Sequence, residues 1–422
     1  MRLFFPATVL PTSYELPQHQ IRSRARATPS TVYFIGALSL LYLVAFTYYR
    51  HVSVRDPTSF FFDRRNAYAT KYSKQRTQEA NAYIEHVNEG AYEVKTADGP
   101  PRLCIGIATV RRRGTQYVST TVGSLLEGLS DTERKSIFLD VLIAHTNQSD
   151  HPNAADGWLQ SLPDRVLHYD RKSVDFEQLL AWEDAGLYRN KTIYDYSYLL
   201  KDCYDSGAEY VAMIEDDTIA ARGWYSQTLE ALEKVSSRMQ GRSQNRWAYL
   251  RLFYVEDLLG WNSEDWPRYL FWSFVVWSSL TTGMLWAKKK FRSQLESLTY
   301  TCIAIVSGLF VPLGIGLHFM AGRQTIWPIQ TGIQKMNKYG CCSQALVFPS
   351  SIVPVILSRT DLITDWLVDM MIEKISDWEH LERWVLVPAL FQHIGTTSSK
   401  GYGFDDNAKE LWNFRFEDHP FS

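Results

Sequence analysis

Apolar positions along the chain come in two lengths. Short uninterrupted runs at Leu103–Val110, Ile137–His145 and Tyr210–Ile214 have the length of strands, and they do not alternate with polar residues. Continuous apolar character suits a strand covered on both faces, as in a layered α/β sheet. Between these runs the period changes. Tyr117–Leu129 reads as a helix, and Ile193, Tyr196, Leu200 and Cys203 recur at helical spacing just before the third strand. Strand and helix units in succession predict an α/β domain with a mostly parallel sheet.

The longer runs predict something else. A helix needs about 20 mostly apolar residues to cross a bilayer, and three segments qualify: 31–49, 269–287 and 300–320. The first has no charge and follows Arg22, Arg24 and Arg26; it is long and lacks a small-residue cleavage site, so it reads as a retained anchor rather than a signal peptide. The second carries Trp272 and Trp286 near its ends, and the third contains Gly308, Pro312, Gly314 and Gly316, which suit a membrane helix better than a soluble one. Lys288–Lys290 and Arg292 lie between them. Both basic clusters satisfy the positive-inside rule if residues 1–30 are a cytosolic tail, 50–100 a lumenal stem, 101–268 and 321–422 two parts of one lumenal domain, and 288–299 a cytosolic loop. A buried hairpin in a soluble domain is the alternative, since five Ser and Thr residues weaken the second segment.

Composition narrows the partners. With 44 Lys and Arg against 46 Asp and Glu, the chain lacks the basic excess of a nucleic-acid binder. The sequons at Asn147 and Asn190 both fall in the segment assigned to the lumen. Of the five cysteines, Cys302 lies in a span and Cys104 in an apolar strand, which leaves Cys203, Cys341 and Cys342 as the expected disulfide partners.

Candidate chemistry sits where the third strand ends. Glu215, Asp216 and Asp217 follow Ile214 directly, at the carboxyl end where open α/β sheets bind ligands. A solvated acidic turn is the plain alternative. Three adjacent acids repel one another and raise each other's pKa unless a cation is near. A divalent metal carrying an anionic substrate resolves that conflict. Neither a GxGxxG nor a Walker pattern is present, so a phosphate-bearing ligand needs another means of support, and a metal on the acid run provides one.

The stretches "CIGIATVRRRGTQYVSTTVGSLLEGL", "MIEDDTIAARGW", "LRLFYVEDLLGW" and "FQHIGTTSSKG" together resemble Golgi glycosyltransferases of the GT-A fold, near the N-acetylglucosaminyltransferase IV group. Two adjacent spans after "LRLFYVEDLLGW" make the chain more similar to the GPI-glycan N-acetylgalactosamine transferase family, post-GPI-attachment to proteins factor four. The resemblance implies a GT-A domain with one N-terminal transmembrane helix and an inserted transmembrane hairpin. It also implies a multi-pass Golgi protein with its catalytic domain in the lumen.

By that resemblance Asp217 is a direct Mn²⁺ ligand, with His393 of "FQHIG" as a second; an ordinary buried histidine is the alternative for His393. Glu215 and Asp216 complete the acid motif, Asp216 toward the donor ribose or a metal-bound water. Thr109 and Arg111 are expected at the donor's base and ribose, Asp195 as a further donor contact, and Lys400 as a point charge on the diphosphate. Arg111, Arg112 and Arg113 equally read as a solvated turn. The implied reaction is an inverting hexosamine transfer from a UDP-sugar to a GPI glycan, in contact with membrane lipids. It needs one carboxylate to take the acceptor's proton. Asp361, Asp365 and Asp369 fall at i, i+4 and i+8, as on one helix face, and alignment favours Asp365 with Asp361 second. The rival functions are an N-glycan N-acetylglucosaminyltransferase and a non-catalytic membrane scaffold.

Overall fold

The computed structural model describes residues 29–90, 99–241, 246–336, 341–360, 362–363, 366–397 and 411–420. The chain divides into two compact units. One contains most of the N-terminal helix Pro29–Val52 together with the segment Pro267–Gly316. The other holds Tyr48–Trp266 and Leu317–Ser422.

Among the described residues of the larger unit, ten strands form two sheets. These are β1 (Leu103–Thr109), β2 (Ile137–Ile143), β3 (Arg165–Leu167), β4 (Tyr210–Ile214), β5 (Thr218–Ala220), β6 (Trp247–Arg251), β7 (Gly332–Lys335), β8 (Ala345–Pro349), β9 (Glu382–Val387) and β10 (Phe391–His393). The main sheet runs β3-β2-β1-β4-β8-β6-β9-β7, and β5 pairs with β10 in a separate ribbon. Pairings β2–β3, β1–β2, β1–β4 and β6–β9 are parallel, whereas β8 runs antiparallel to both β4 and β6, and β7 antiparallel to β9. The largely parallel α/β reading therefore holds, with antiparallel strands added in its second half.

Both faces of this sheet are covered, as the continuous apolar runs require. Leu103, Ile105 and Ile107 of β1 enter one core with Val118, Val122 and Trp224. The intervening Cys104 enters the opposite core with Leu199 and Leu200 of the helix Tyr188–Asp205. Residues 72–88, assigned by sequence to a stem, fold as a helix whose Tyr72, Ile84 and Val87 belong to the first core. Strands from either side of the apolar insertion share one sheet, for Leu250 pairs with Val347 and Arg251 with Leu346.

Cysteine pairing corrects the sequence expectation. Cys104 bridges to Cys203, which joins β1 to the helix beneath it, and Cys341 bridges to its neighbour Cys342. An apolar strand position does not exclude a disulfide when a packed helix presents its own cysteine to the same core.

The helix Trp266–Lys290 and the segment Tyr300–Met320, most of which lie in the smaller unit, are long and apolar enough to cross a membrane, as is the N-terminal helix. Many of their large apolar side chains are exposed, among them Leu40, Leu43, Phe271 and Leu285. A π-helical turn at Val306–Phe310 interrupts the third segment. There the Val311 N–H bonds the Val306 carbonyl and Pro312 has no N–H, so the Ser307 carbonyl loses its usual helical donor. The Trp277 indole Nε1 donates to that carbonyl at 2.7 Å, and the Thr281 hydroxyl donates to Ser307 Oγ at 3.0 Å. The second and third helices are thus joined by a polar clasp within their apolar length.

Candidate functional site

Parallel pairing of β1 with β4 brings their carboxyl ends to the same edge of the sheet. Thr109, Arg111 and Arg112 leave β1 there, and Glu215, Asp216 and Asp217 leave β4. Topology fixes the partners. The Glu215 N–H extends the antiparallel ladder to the Gln344 carbonyl, and the chain turns at once into β5, where Ile394 N donates to the Asp217 carbonyl. Pairing of Thr218 with His393 then sets the imidazole beside Asp217. The two residues are 176 positions apart in sequence.

Each acid has a different environment. Asp216 is fully engaged: Thr109 Oγ1 donates to its Oδ2 at 2.7 Å and Arg112 Nη2 to its Oδ1 at 2.6 Å. Glu215 accepts from the Ser343 hydroxyl at 2.6 Å. Asp217 Oδ2 lies 3.1 Å from Arg112 Nη2 and 3.3 Å from His393 Nε2, whereas its Oδ1 is buried without a hydrogen-bond partner. A buried carboxylate oxygen left unsatisfied is costly unless something else binds it.

Charge follows the same division. Burial, reinforced by Asp217, pushes Glu215 up to about 7. Burial also raises Asp216, against the opposing charge of Arg112. Burial works against ionisation of Asp217 too, but His393 and Arg112 outweigh it and hold that carboxyl well below the usual range. For His393, burial favours the neutral ring, yet the Asp217 charge prevails and the pKa rises. Asp217 is the one of the three held below its ordinary range.

Behind Asp216 runs a short relay. His151 Nδ1 accepts from Asn153 N, which leaves Nε2 as the protonated nitrogen facing Thr109 Oγ1 at 3.1 Å; the Thr109 hydroxyl in turn donates to Asp216. Burial and the adjacent His145 push His151 down to about 4, which keeps it neutral in this role. Thr121 Oγ1 lies 2.8 Å from the Asp216 carbonyl and 2.7 Å from that of Thr218, holding the acid turn to the helix Val118–Leu126.

Several expected residues stand elsewhere. Arg111 is exposed, and its backbone N–H donates to His145 Nε2; the neighbouring Arg112 is the arginine that turns inward, over the Tyr117 ring. Asp195 is buried in an ion pair with Lys191, whose Nζ is 2.9 Å from Oδ2, and it also accepts from the Tyr169 hydroxyl. No described contact joins Asp195 to the acid run. For the base candidates, one helix ends at Thr360, the next begins at Val368 and includes Asp369, and Leu367 is extended. Asp361, Asp365 and Lys400 lie outside the described residues. Asp369, near the start of the later helix, does reach the site, within 4.8 Å of the Cys341 and Cys342 sulfurs, and its charge acts on Glu215. Sequence reasoning gave no separate signal for Arg112, Thr121, His151 or Ser343, because their roles depend on how the loops turn.

A divalent cation fits the acid turn on this geometry. Asp217 offers an ionised hard oxygen with a free lone pair, and His393 offers an imidazole beside it. Two other clusters combine a carboxylate with cysteines, Cys104–Asp140–Cys203 and Cys341–Cys342–Asp369, but their disulfides remove the thiolates as ligands. Close packing also limits Asp217. A Cβ on Gly395 would sit 2.2 Å from Asp217 Oδ2 and 2.9 Å from its Cγ. Gly395→Ala is therefore expected to turn the carboxylate away and lower turnover roughly tenfold, which is about 1.4 kcal/mol of barrier. Steady-state rates of the two proteins check this, and unchanged turnover would mean that the carboxylate's orientation is unimportant.

Comparison with known proteins gives a consistent assignment. A family model described as GPI-N-acetylgalactosamine transferase PGAP4 matches residues 103–392. The chain is also 28% identical over 182 residues to the alpha-1,3-mannosyl-glycoprotein 4-beta-N-acetylglucosaminyltransferase C of Mus musculus and 28% identical to that of Sus scrofa. Each match covers 39% of this chain and 36% of the relative. The chain thus spans little more than a third of the length of these curated relatives.

Proposed function

From the premise that the chain belongs to the GPI-N-acetylgalactosamine transferase PGAP4 family, we propose that it transfers N-acetylgalactosamine from a UDP donor to the mannose core of GPI glycans, as a multi-pass Golgi enzyme with a lumenal GT-A domain. The observation that carries this reading is Asp217: a buried carboxylate, held below its ordinary pKa by His393 and Arg112, with one unpartnered oxygen just beyond the carboxyl end of a central strand.

Asp217 and His393 would hold Mn²⁺, which when bound neutralises charge on the departing diphosphate. Asp216 is kept in place by Thr109 and Arg112, which orients it toward the donor. Arg112 adds a fixed positive charge where negative charge develops. Inversion requires a single displacement, with a carboxylate on the opposite side taking the acceptor hydroxyl proton. The segment 361–369 supplies that base, with Asp365 and Asp361 as the candidates carried from the sequence and Asp369 as the described neighbour of Glu215.

The relatives' names favour one alternative acceptor, a mannosyl glycoprotein rather than a GPI glycan. One experiment separates the readings. Purified full-length protein is incubated with UDP-GalNAc, UDP-GlcNAc or UDP-glucose, with Mn²⁺ or EDTA, and with either a GPI glycan or an N-glycan acceptor. Mn²⁺-dependent GalNAc transfer to the GPI glycan is the expected result. Transfer of GlcNAc to the N-glycan would replace the proposal, and absence of donor turnover in every arm would support a scaffold.

A further inference from the structure

In the larger unit the three segments flanking the apolar helices converge on one polar hub. Asp56 lies four residues beyond Val52, the end of the N-terminal helix. Its carboxylate accepts from Thr58 N and Oγ1 and from Thr325 N and Oγ1, at 2.6–2.9 Å. The Met320 carbonyl, at the end of the third apolar helix, accepts from Phe60 N and Ser59 Oγ, both at 2.9 Å. Trp261 Nε1 donates to the Phe319 carbonyl, and the Leu259 carbonyl accepts from Arg323 and Gln324. Gly322 has φ +87°, and a Cβ there would lie 2.4 Å from Asp56 Oδ2. The hub is a built junction, closed to side chains larger than glycine at its centre.

Around it four large apolar side chains face outward. Phe60 is 76% exposed, Leu258 51%, Trp266 63% and Trp327 65%. Each is tied to the hub by its backbone or its neighbours: Phe60 through Met320, Leu258 beside Leu259, Trp266 as the first residue of the second apolar helix, and Trp327 with its ring 6.4 Å from that of Trp261. Exposed apolar residues scattered singly need no explanation, but these four all stand on the segments that lead into or out of the apolar helices.

We propose that Phe60, Leu258, Trp266 and Trp327 form a collar that seats the larger unit in the headgroup zone of the bilayer. Chain continuity names the occupant. Met320 ends the third apolar helix and Asp56 lies four residues beyond the first, a reach of at most about 14 Å along the chain. Aromatic side chains favour that boundary, where an apolar ring meets water and headgroups. A second protein would have to compete with lipid for a surface that the chain itself holds at the membrane. The collar rests on the reading that the apolar helices cross a bilayer, and it is independent of the transferase reaction.

Nitroxide labels test it in the full-length protein, reconstituted in phosphatidylcholine nanodiscs after Cys302→Ala removes the free thiol. Single cysteines replace Phe60, Leu258 or Trp327, with Leu280 in the second apolar helix and the exposed Glu230 as references. The three collar labels are expected to meet oxygen severalfold more than a water-soluble nickel chelate when each is normalised to the Glu230 label. Collar labels as aqueous as Glu230, with Leu280 deep in lipid, would overturn the collar and leave the spanning reading intact. Labels shielded from both reagents would overturn it in favour of a protein partner. Should the Leu280 label itself prove aqueous, the spanning reading falls and the collar with it.

Discussion

Asp217→Ala is expected to lower sugar transfer by about 10³-fold, or about 4 kcal/mol of barrier, with the protein still folded. The loss is of a ligand rather than of packing. Arg112 keeps its stronger contact with Asp216 after the change, and the Asp217 carbonyl still accepts from Ile394, so the β5–β10 ribbon retains its backbone bonds. His393 loses the charge that most raises its pKa. Turnover at saturating Mn²⁺ and the thermal midpoint of the same preparation check both halves of this expectation. Near-normal turnover would remove Asp217 from the metal role, and an unfolded protein would show that Asp217 is structural. Asp216→Ala makes the informative contrast, since it deprives Arg112 and Thr109 of their shared partner and is expected to cost stability as well.

The second large effect concerns the apolar hairpin. A GPI acceptor presents its glycan close to the bilayer, so an enzyme held at that height gains effective concentration without new contacts to the sugar. Replacing Pro267–Gly316 by a flexible Gly/Ser linker leaves Trp266 and Leu317–Met320, and so preserves the described polar hub. Transfer to membrane-borne GPI is expected to fall by at least about tenfold and up to about 100-fold, whereas UDP-sugar hydrolysis and transfer to a soluble glycan fragment stay near the intact protein's rates. Equal loss of all three activities in a folded protein would mean that the spans support the site itself, and the height argument would be withdrawn.

Much of this architecture can be read from local pattern. The cores of β1, β2 and β4 and the helix Tyr188–Asp205 follow from apolar run length and helical spacing, because burial on two faces leaves a direct mark on composition. Glu215–Asp217 stand out for the opposite reason, as charge where an apolar run ends. What escapes is decided by distant partners. Nothing near Ala345–Pro349 says that this strand will run antiparallel between β4 and β6. His393 was identified through resemblance, since its approach to Asp217 depends on the β5–β10 pairing. Among the three adjacent arginines, only the turn after β1 decides that Arg112 points inward. Spacing alone does not place the base: Asp361, Asp365 and Asp369 have helical spacing, and the described helices stop at Thr360 and start at Val368.

The order of the strands also sets a timetable for synthesis. β8 occupies the middle of the main sheet, yet it is encoded after both spans of the insertion. The stretch from Arg251 to Ala345 takes roughly 5–20 s to make. Through that interval the neighbouring edges of β4 and β6 have no partner, and unpaired edges are open to association with other chains. On the proposed topology, completion of the sheet waits for the two apolar helices to leave the translocation machinery and for β8 to arrive between two strands already on the far side. Slow insertion of the hairpin therefore lengthens the life of an open sheet, and defects in it should be felt first as a lower yield of folded protein, before any molecule has met its substrate.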